Sequence, residues 1–368
     1  MKAEILSNLY RATRRHVINQ VYKKQDAEGR MRDLEEVVEI GDRWLKRLPR
    51  WTYSFKIPEG IGAEMHDLWF PSPLTLSSFK EDAEIIDIWM QLGLGGAVEK
   101  TWLQDVRAGN KRPRLQECGY GGHSGLINAM GWPSPGIQKS ISEHDRVNLG
   151  RHGRPIGISL AGNSEEEYYT NFDIANQHLS HSGTPHYYFE ESIGCPNTQY
   201  GRTLQKSPGI LAELLRHMRS KTDAVIVVKL SPDVDNPTLI EYVNLIAGFP
   251  RTAVNLGNTQ RKNCAEAGLP DGAISVGAGG LSGPALYPRT LEMVKLAAPI
   301  GIPIIATGGV DSAQKARELL DAGASLVGMA TAVVKDMYCI PRINYELAKI
   351  NFQRDLMKEF GECHIECD

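Results

Sequence analysis

The sequence predicts an α/β fold, a (β/α)8 TIM barrel carrying an N-terminal helical extension. Three observations point there. Strand-like and helix-like runs alternate from Leu68 onward, several strand runs are continuously apolar, and polar residues suited to chemistry fall where those runs end. Runs such as AVIVVKL and IPIIATGG suit strands covered on both faces in a parallel sheet, and eight such strands separated by helices argue for a closed barrel. A doubly wound open sheet is the alternative, but no GxGxxG follows the first strand.

The elements follow in order. Strands are predicted at Trp69–Leu76, Gly95–Lys100, Pro155–Leu160, Tyr187–Ile193, Ala224–Leu230, Thr252–Leu256, Pro303–Ala306 and Leu326–Ala330. Amphipathic helices are predicted at Glu81–Leu92, Ser164–Leu179, Pro208–Ser220, Pro237–Ala247, Leu286–Ala297 and Ser312–Ala322. Residues 1–60 read as a helical extension and 61–368 as the barrel. One helix spans Ala3 to Lys24 with Leu6, Leu9, Val17 and Val21 on its buried side. A second places Leu34, Val37, Val38, Gly41, Leu45 and Leu48 at helical spacing, and Pro49 and Pro58 bracket a linker. Arg11, Arg14, Arg15, Lys23 and Lys24 give the first helix a basic outer face, read as a solvated surface or as a docking face for a partner, a membrane or an apolar co-substrate.

Of the 368 residues 42% are hydrophobic and 23% charged, with a net charge of −3, which argues against a dedicated nucleic-acid binder. No apolar run approaches a membrane span and no signal peptide is expected, so a cytoplasmic protein with free thiols is the default. Cys363, His364 and Cys367 lack the four-ligand set of a structural zinc site, and no metal is expected.

In a barrel, chemistry sits on loops after the carboxyl ends of strands. The fourth strand runs into Cys195-Pro196-Asn197, and a cysteine there fills a gap or serves as a reactive group. The second ends in Glu99-Lys100-Thr101, and the loop after it carries Asn128. The fifth ends at Lys229, the sixth at Asn258-Thr259, the seventh at Thr307-Gly308-Gly309 and the eighth at Ala330-Thr331. With GAGGLSGP at 277–284, the last two strand ends suit a phosphate, because glycine turns bring backbone N–H groups close to an anion and a helix starting near Ser312 adds its dipole. Lys229 inside AVIVVKLSP needs a partner if buried. It reads either as a Schiff-base nucleophile or as a fixed cation beside a reduced flavin. Asn128, Asn197 and Asn258 supply donors and acceptors suited to a small, flat, polar ring.

The pieces AGNKRPRL, LINAMGW, CPNTQYGRTLQ, VVKLSPD, GNTQRK, GGLSGPAL and IPIIATGGVDSAQKARELLDAGASLVGMATAVV occur in this order, and through them residues from about Leu68 to Val334 resemble the dihydroorotate dehydrogenase family of FMN-dependent barrels. The CPNT…RTLQ and GGLSG wording is nearest the quinone-linked branch, whereas cysteine before Pro-Asn is usual in the soluble branch. The resemblance implies that Cys195 is the base that removes a proton from substrate C5 while hydride leaves C6 for the flavin. It implies that Lys229 sits by the flavin ring and that Lys100 contacts flavin or substrate. It gives substrate contacts to Asn128, Ser192, Asn197, Asn258 and Thr259, and FMN contacts to Thr75, Gly280, Ser282, Gly283, Gly308, Gly309, Ala330 and Thr331.

Several positions depart from the family pattern. Ser192 stands where asparagine is usual and Gly194 where serine is common, and Trp132-Pro133-Ser134 reshapes the loop after Asn128. Glu190 and Glu191 precede Ser192, and alternation along a strand points one of them into the barrel. The expected activity is oxidation of dihydroorotate. The alternatives are another cyclic substrate on the same flavin barrel, a Schiff-base lyase or aldolase using Lys229, and a non-catalytic flavin scaffold. The electron acceptor is open among quinone, fumarate and a partner protein. No iron–sulfur cysteine cluster is present, so electron transfer to NAD requires another subunit. Residues 1–50 are a candidate peripheral membrane contact, and soluble relatives of this kind tend to form homodimers.

Overall fold

The computed structural model describes residues 1–22, 31–193 and 207–362. Helix α1 (Lys2–Val17) runs into a π-helical turn at Ile18–Tyr22, and α2 (Leu34–Leu45) follows. The hairpin β1 (Ala63–Met65) and β2 (Leu68–Phe70) precedes the first barrel strand, β3 (Leu74–Leu76). Next come α3 (Ala83–Leu92), β4 (Gly96–Trp102) and the short strand β5 (Val106–Arg107). The hairpin β6 (Leu115–Tyr120) and β7 (His123–Asn128) leads to β8 (Ser134–Pro135) and α4 (Ile137–Val147). The chain then alternates through β9 (Ile156–Leu160), α5 (Glu165–Leu179), β10 (Tyr187–Ser192), α6 (Pro208–Arg219), β11 (Val225–Leu230), α7 (Asn236–Ala247) and β12 (Thr252–Leu256). Strands β13 (Gln260–Asn263) and β14 (Ala278–Ser282) interrupt the alternation. It resumes with α8 (Tyr287–Ala297), β15 (Ile304–Thr307), α9 (Ala313–Asp321), β16 (Leu326–Met329), α10 (Thr331–Lys335) and α11 (Cys339–Glu362).

Eight parallel strands close in the order β3, β4, β9, β10, β11, β12, β15, β16 and back to β3, the expected (β/α)8 barrel. Alternation divides each strand between two cores. Ile156, Ile158 and Leu160 of β9 and Ile226, Val228 and Leu230 of β11 join the large core beneath the helices. Val98, Tyr188, Val225, Val227, Ala253, Ile305 and Leu326 point inward and, with Met65, Leu68 and Phe70 of the first hairpin, fill the amino end of the barrel. The carboxyl end is left for polar groups. Side-chain caps start several helices: Asp82 accepts from the Glu84 and Ile85 amides, and Ser164, Asp235 and Ser312 each accept from one amide of the helix they precede.

Several expectations change. The run Trp69–Leu76 is not one strand, because Pro71 and Pro73 break it into β2 and β3, and Trp69 is exposed. Residues 277–284 contain strand β14 rather than only a glycine turn. That strand belongs to a second, four-stranded sheet ordered β13-β14-β7-β6, which sequence periodicity missed. Leu9 is 63% exposed rather than buried. The contact face of α1 is turned by polar anchoring instead: Ser7 donates to Asp336 at 2.5 Å, and the Tyr10 ring meets Tyr338 edge-on. Arg14 is not on the outer face either, since it pairs with Glu117 of β6 at 2.8 Å.

Two acids, Asp33 and Glu35, fix the start of α2 to the β6–β7 hairpin. Asp33 accepts from the Glu35 amide at the start of α2 and also from the backbone amides of Arg114 (2.9 Å) and Leu115 (3.1 Å). Glu35 then takes Arg114 in a two-pronged ion pair at 2.7 and 2.9 Å. Asp33→Ala removes both the cap and the docking acceptor. We expect a loss of about 1–2 kcal/mol in urea unfolding and earlier proteolytic cleavage within residues 1–60 than in the barrel.

Candidate active site

A cavity of about 1000 Å³ opens at the carboxyl ends of the barrel strands. That is the upper end for a ligand site and leaves room for a cofactor and a substrate together. Lys100, Asn128, Ser192, Lys229, Asn258 and Thr259 line one part of it. Ser282, Gly283, Gly308, Gly309, Ala330 and Thr331 line another. Thr75 and Gly280 are not among the lining residues: Thr75 is buried in the barrel opposite Gly328, and Gly280 pairs with Asn128 on the neighbouring strand. Cys195 and Asn197 lie outside the described residues, as do Cys363, His364 and Cys367.

Each lining group is positioned by its strand. Asn128 sits at the end of β7, in the four-stranded sheet rather than the barrel, and donates to the Gly280 carbonyl at 3.3 Å. The Asn258 side chain accepts from the Thr259 amide at 2.8 Å. Lys100 reaches Glu81 at 3.1 Å with little solvent exposure. Burial lowers its pKa from the ordinary lysine value, and Glu81 opposes that shift.

The barrel interior holds a polar cluster. Lys229 is the register partner of Ser192, so both face inward with Glu190. The Lys229 ammonium donates to Ser78 Oγ at 3.0 Å and to Glu190 Oε1 at 3.4 Å. Ser78 donates to Glu190 Oε1 at 2.7 Å, and Asn255 Nδ2 donates to Glu190 Oε2 at 2.7 Å. Ser78, Glu190 and Asn255 were not singled out as site residues in the sequence. Parity along the strands was the signal for Glu190 and Asn255, and Ser78 lies in the turn after β3.

Glu191 faces the other way, between Leu160 and Val228 of the adjacent strands. It is fully buried, and neither carboxyl oxygen has a hydrogen-bond partner among the described residues. Burial, with Glu190 next to it, pushes its pKa up to about 8, so it is mostly protonated at neutral pH.

The second part of the cavity fits a phosphate-bearing group. Gly309 has φ +77°, and a Cβ there would come within 2.5 Å of the Tyr287 backbone nitrogen, so only glycine allows this close turn. Thr331, the first residue of α10 after the eighth barrel strand, donates to Ser282 Oγ of β14 at 2.8 Å, joining that end of the barrel to the second sheet. The Ser77 and Thr307 hydroxyls are buried at this end with no hydrogen-bond partner, which leaves them free for a polar ligand. Ser312 caps α9 just beyond Gly309. Val38, Glu39, Asp42 and Lys46 of the N-terminal helices line the cavity mouth.

Fold and cavity together define a (β/α)8 enzyme built around a phosphate-bearing cofactor beside a polar substrate pocket. A protein-family model for dihydroorotate dehydrogenase matches residues 61–350. The chain is 33% identical over 311 residues to the catalytic subunit of dihydroorotate dehydrogenase B (NAD(+)) from Staphylococcus carnosus, covering 83% of this chain and 95% of that one. The same subunit of a Geobacillus species is 32% identical over 277 residues, 74% of this chain and 83% of the relative. The ligand-free DHODH of Eimeria tenella superposes with a TM-score of 0.73 at 20% identity, covering 87% of this chain and 96% of the other, and so shares the fold. The chain belongs to the dihydroorotate dehydrogenase family. It is an FMN-dependent oxidoreductase acting on CH–CH groups, which displaces the Schiff-base reading of Lys229. The ion pair with Glu190 agrees, since it holds a cation rather than a free amine.

Glu191 makes stability depend on pH. Its folded pKa lies above the unfolded value, so its favourable state is fully present below about 4.5 and is lost as pH rises toward 8. Glu191→Leu removes the unpaired carboxyl. We expect a thermal midpoint raised by several degrees at pH 8.5 and by clearly less at pH 5, read by differential scanning calorimetry.

Proposed function

We propose that the protein oxidises dihydroorotate, with Cys195 as the base for the C5 proton and FMN as the acceptor of the C6 hydride. The observation that carries this reading is the single cavity in which Lys100, Lys229, Asn128, Ser192, Asn258 and Thr259 share space with a glycine-lined cradle. FMN, when bound, supplies the two-electron sink. Ser282, Gly283, Gly308, Gly309, Ala330 and Thr331 hold its phosphate, and Thr75 and Gly280 support that wall from behind. Asn128, Asn258 and Thr259, with Asn197, orient the substrate ring through amide and hydroxyl contacts. Lys100 and Lys229 supply fixed positive charge where negative charge develops.

A thiol base needs a pKa below its ordinary value, which cationic surroundings can provide. Cys195 follows Ser192 by three residues, which ties it to the end of β10. The chain carries no iron–sulfur cysteine motif, and its relatives are named as catalytic subunits linked to NAD(+). Reoxidation through a partner subunit follows from that likeness.

A second reading keeps the flavin and changes the substrate to another dihydropyrimidine or ring carboxylate. Ser192 and Trp132 favour it: both line the cavity, and Trp132 is held at φ +53°, a left-handed conformation rare for a bulky residue.

Anaerobic absorbance separates the readings. Flavin absorbance that bleaches on adding dihydroorotate supports the first. A yellow spectrum unchanged by dihydroorotate but bleached by another dihydropyrimidine supports the second. Cys195→Ala is expected to keep its flavin and lose at least about a hundredfold in turnover, and unchanged turnover would remove Cys195 from the mechanism. Gly309→Ala is expected to fold and to retain at least about tenfold less FMN after gel filtration, because the added Cβ collides with backbone.

A further inference from the structure

We propose that Glu190 is a positioning residue for Lys229 that sets how much of its positive charge reaches the flavin. The inference rests on the site reading above and concerns a group that reading does not use.

Glu190 has no solvent exposure and sits inside the barrel. A carboxylate in such a place is costly unless it is paired and both oxygens are satisfied. Both are: Oε1 accepts from Ser78 at 2.7 Å and Lys229 at 3.4 Å, and Oε2 accepts from Asn255 at 2.7 Å. The Ser78 hydroxyl has a single proton, and that proton goes to Glu190. Ser78 therefore meets Lys229 as an acceptor, at 3.0 Å. The ammonium is tethered to the carboxylate twice, directly and through the hydroxyl. Two of its three N–H groups are used, and one remains for whatever occupies the cavity that Lys229 lines.

The electrostatic consequence follows from the pairing. Charges in a low-dielectric interior act on neighbours far more strongly than in water. Lys229 alone would favour the more negative, reduced form of a flavin beside it. With Glu190 against it the pair is formally neutral, so the carboxylate moderates that pull while fixing where the ammonium points. A purely structural Glu190, bracing β10 against β12 through Asn255, would hold the strands without affecting the equilibrium between oxidised and reduced cofactor.

The test is the reduction potential of the bound flavin, measured by anaerobic dye-coupled titration in wild type, Glu190→Gln and Glu190→Asp. Glutamine keeps a hydrogen-bonding side chain of the same length and removes the charge. It should shift the equilibrium about tenfold toward the reduced form, ~30 mV for a two-electron couple, and tighten sulfite binding to the oxidised flavin comparably. Aspartate draws the charge back from Lys229 and should shift both readouts the same way, by about threefold. If the glutamine variant does not fold, the aspartate variant decides alone. A flavin-loaded variant whose potential and sulfite affinity match wild type overturns the inference and leaves the site reading intact. Wild-type protein that takes up no FMN overturns both.

Discussion

Closure of eight parallel strands is the constraint on which the rest of this molecule depends. Once β16 pairs with β3, every strand residue is committed either to the narrow interior or to the layer under the helices. The amino end of the interior is packed with Phe70, Tyr188, Val227 and Leu326, so polar side chains are tolerated inside only toward the other end. There Ser192, Lys229 and Asn255 are register neighbours on successive strands, and Glu190 lies one inward position earlier on β10. The cavity is thus a product of closure, and its chemistry is a product of which parity each residue holds.

Buried charge is handled in two ways, one residue apart. Glu190 is matched by a cation, a hydroxyl and an amide, and Lys100 is matched by Glu81 at the cavity wall. Glu191 has apolar strand neighbours and no hydrogen-bond partner among the described residues, and it meets that burial by keeping its proton. The N-terminal helices add a third solution, in which buried Asp33 accepts backbone amides and Glu35 takes Arg114, fastening α2 to the β6–β7 hairpin that also carries Asn128. The helical extension is therefore coupled through one hairpin to Asn128 at the cavity wall.

Much of the site was legible in the chain. Strand-end residues such as Lys229, Asn258 and Thr331 stand out because a polar residue after an apolar strand marks the mouth of a barrel. Glycines 308 and 309 were legible as a tight turn after an apolar strand, and their positive φ angles favour glycine. The four-stranded sheet was not, because β6, β7, β13 and β14 are short, partly exposed segments, and the β7–β14 pairing that joins their two hairpins links residues more than a hundred positions apart. The buried face of α1 was misjudged at Leu9, because a polar contact from Ser7 to Asp336, distant in sequence, sets the helix rotation.

By itself the sequence determined the order of the eight barrel strands, the Gly308-Gly309 turn and the family motifs, because these depend on local propensity, apolar period and short spacing. It narrowed the inward acid to Glu190 or Glu191 and went no further. Register between β10 and β11 decided between them, and only the closed tertiary structure supplies that register. The same holds for Ser78, in the turn after β3, and for Asn255 of β12, both of which reach Glu190 across the barrel. Parity along one strand is a local property; the facing of that parity, and the partners it meets, are set by the neighbours that close the barrel.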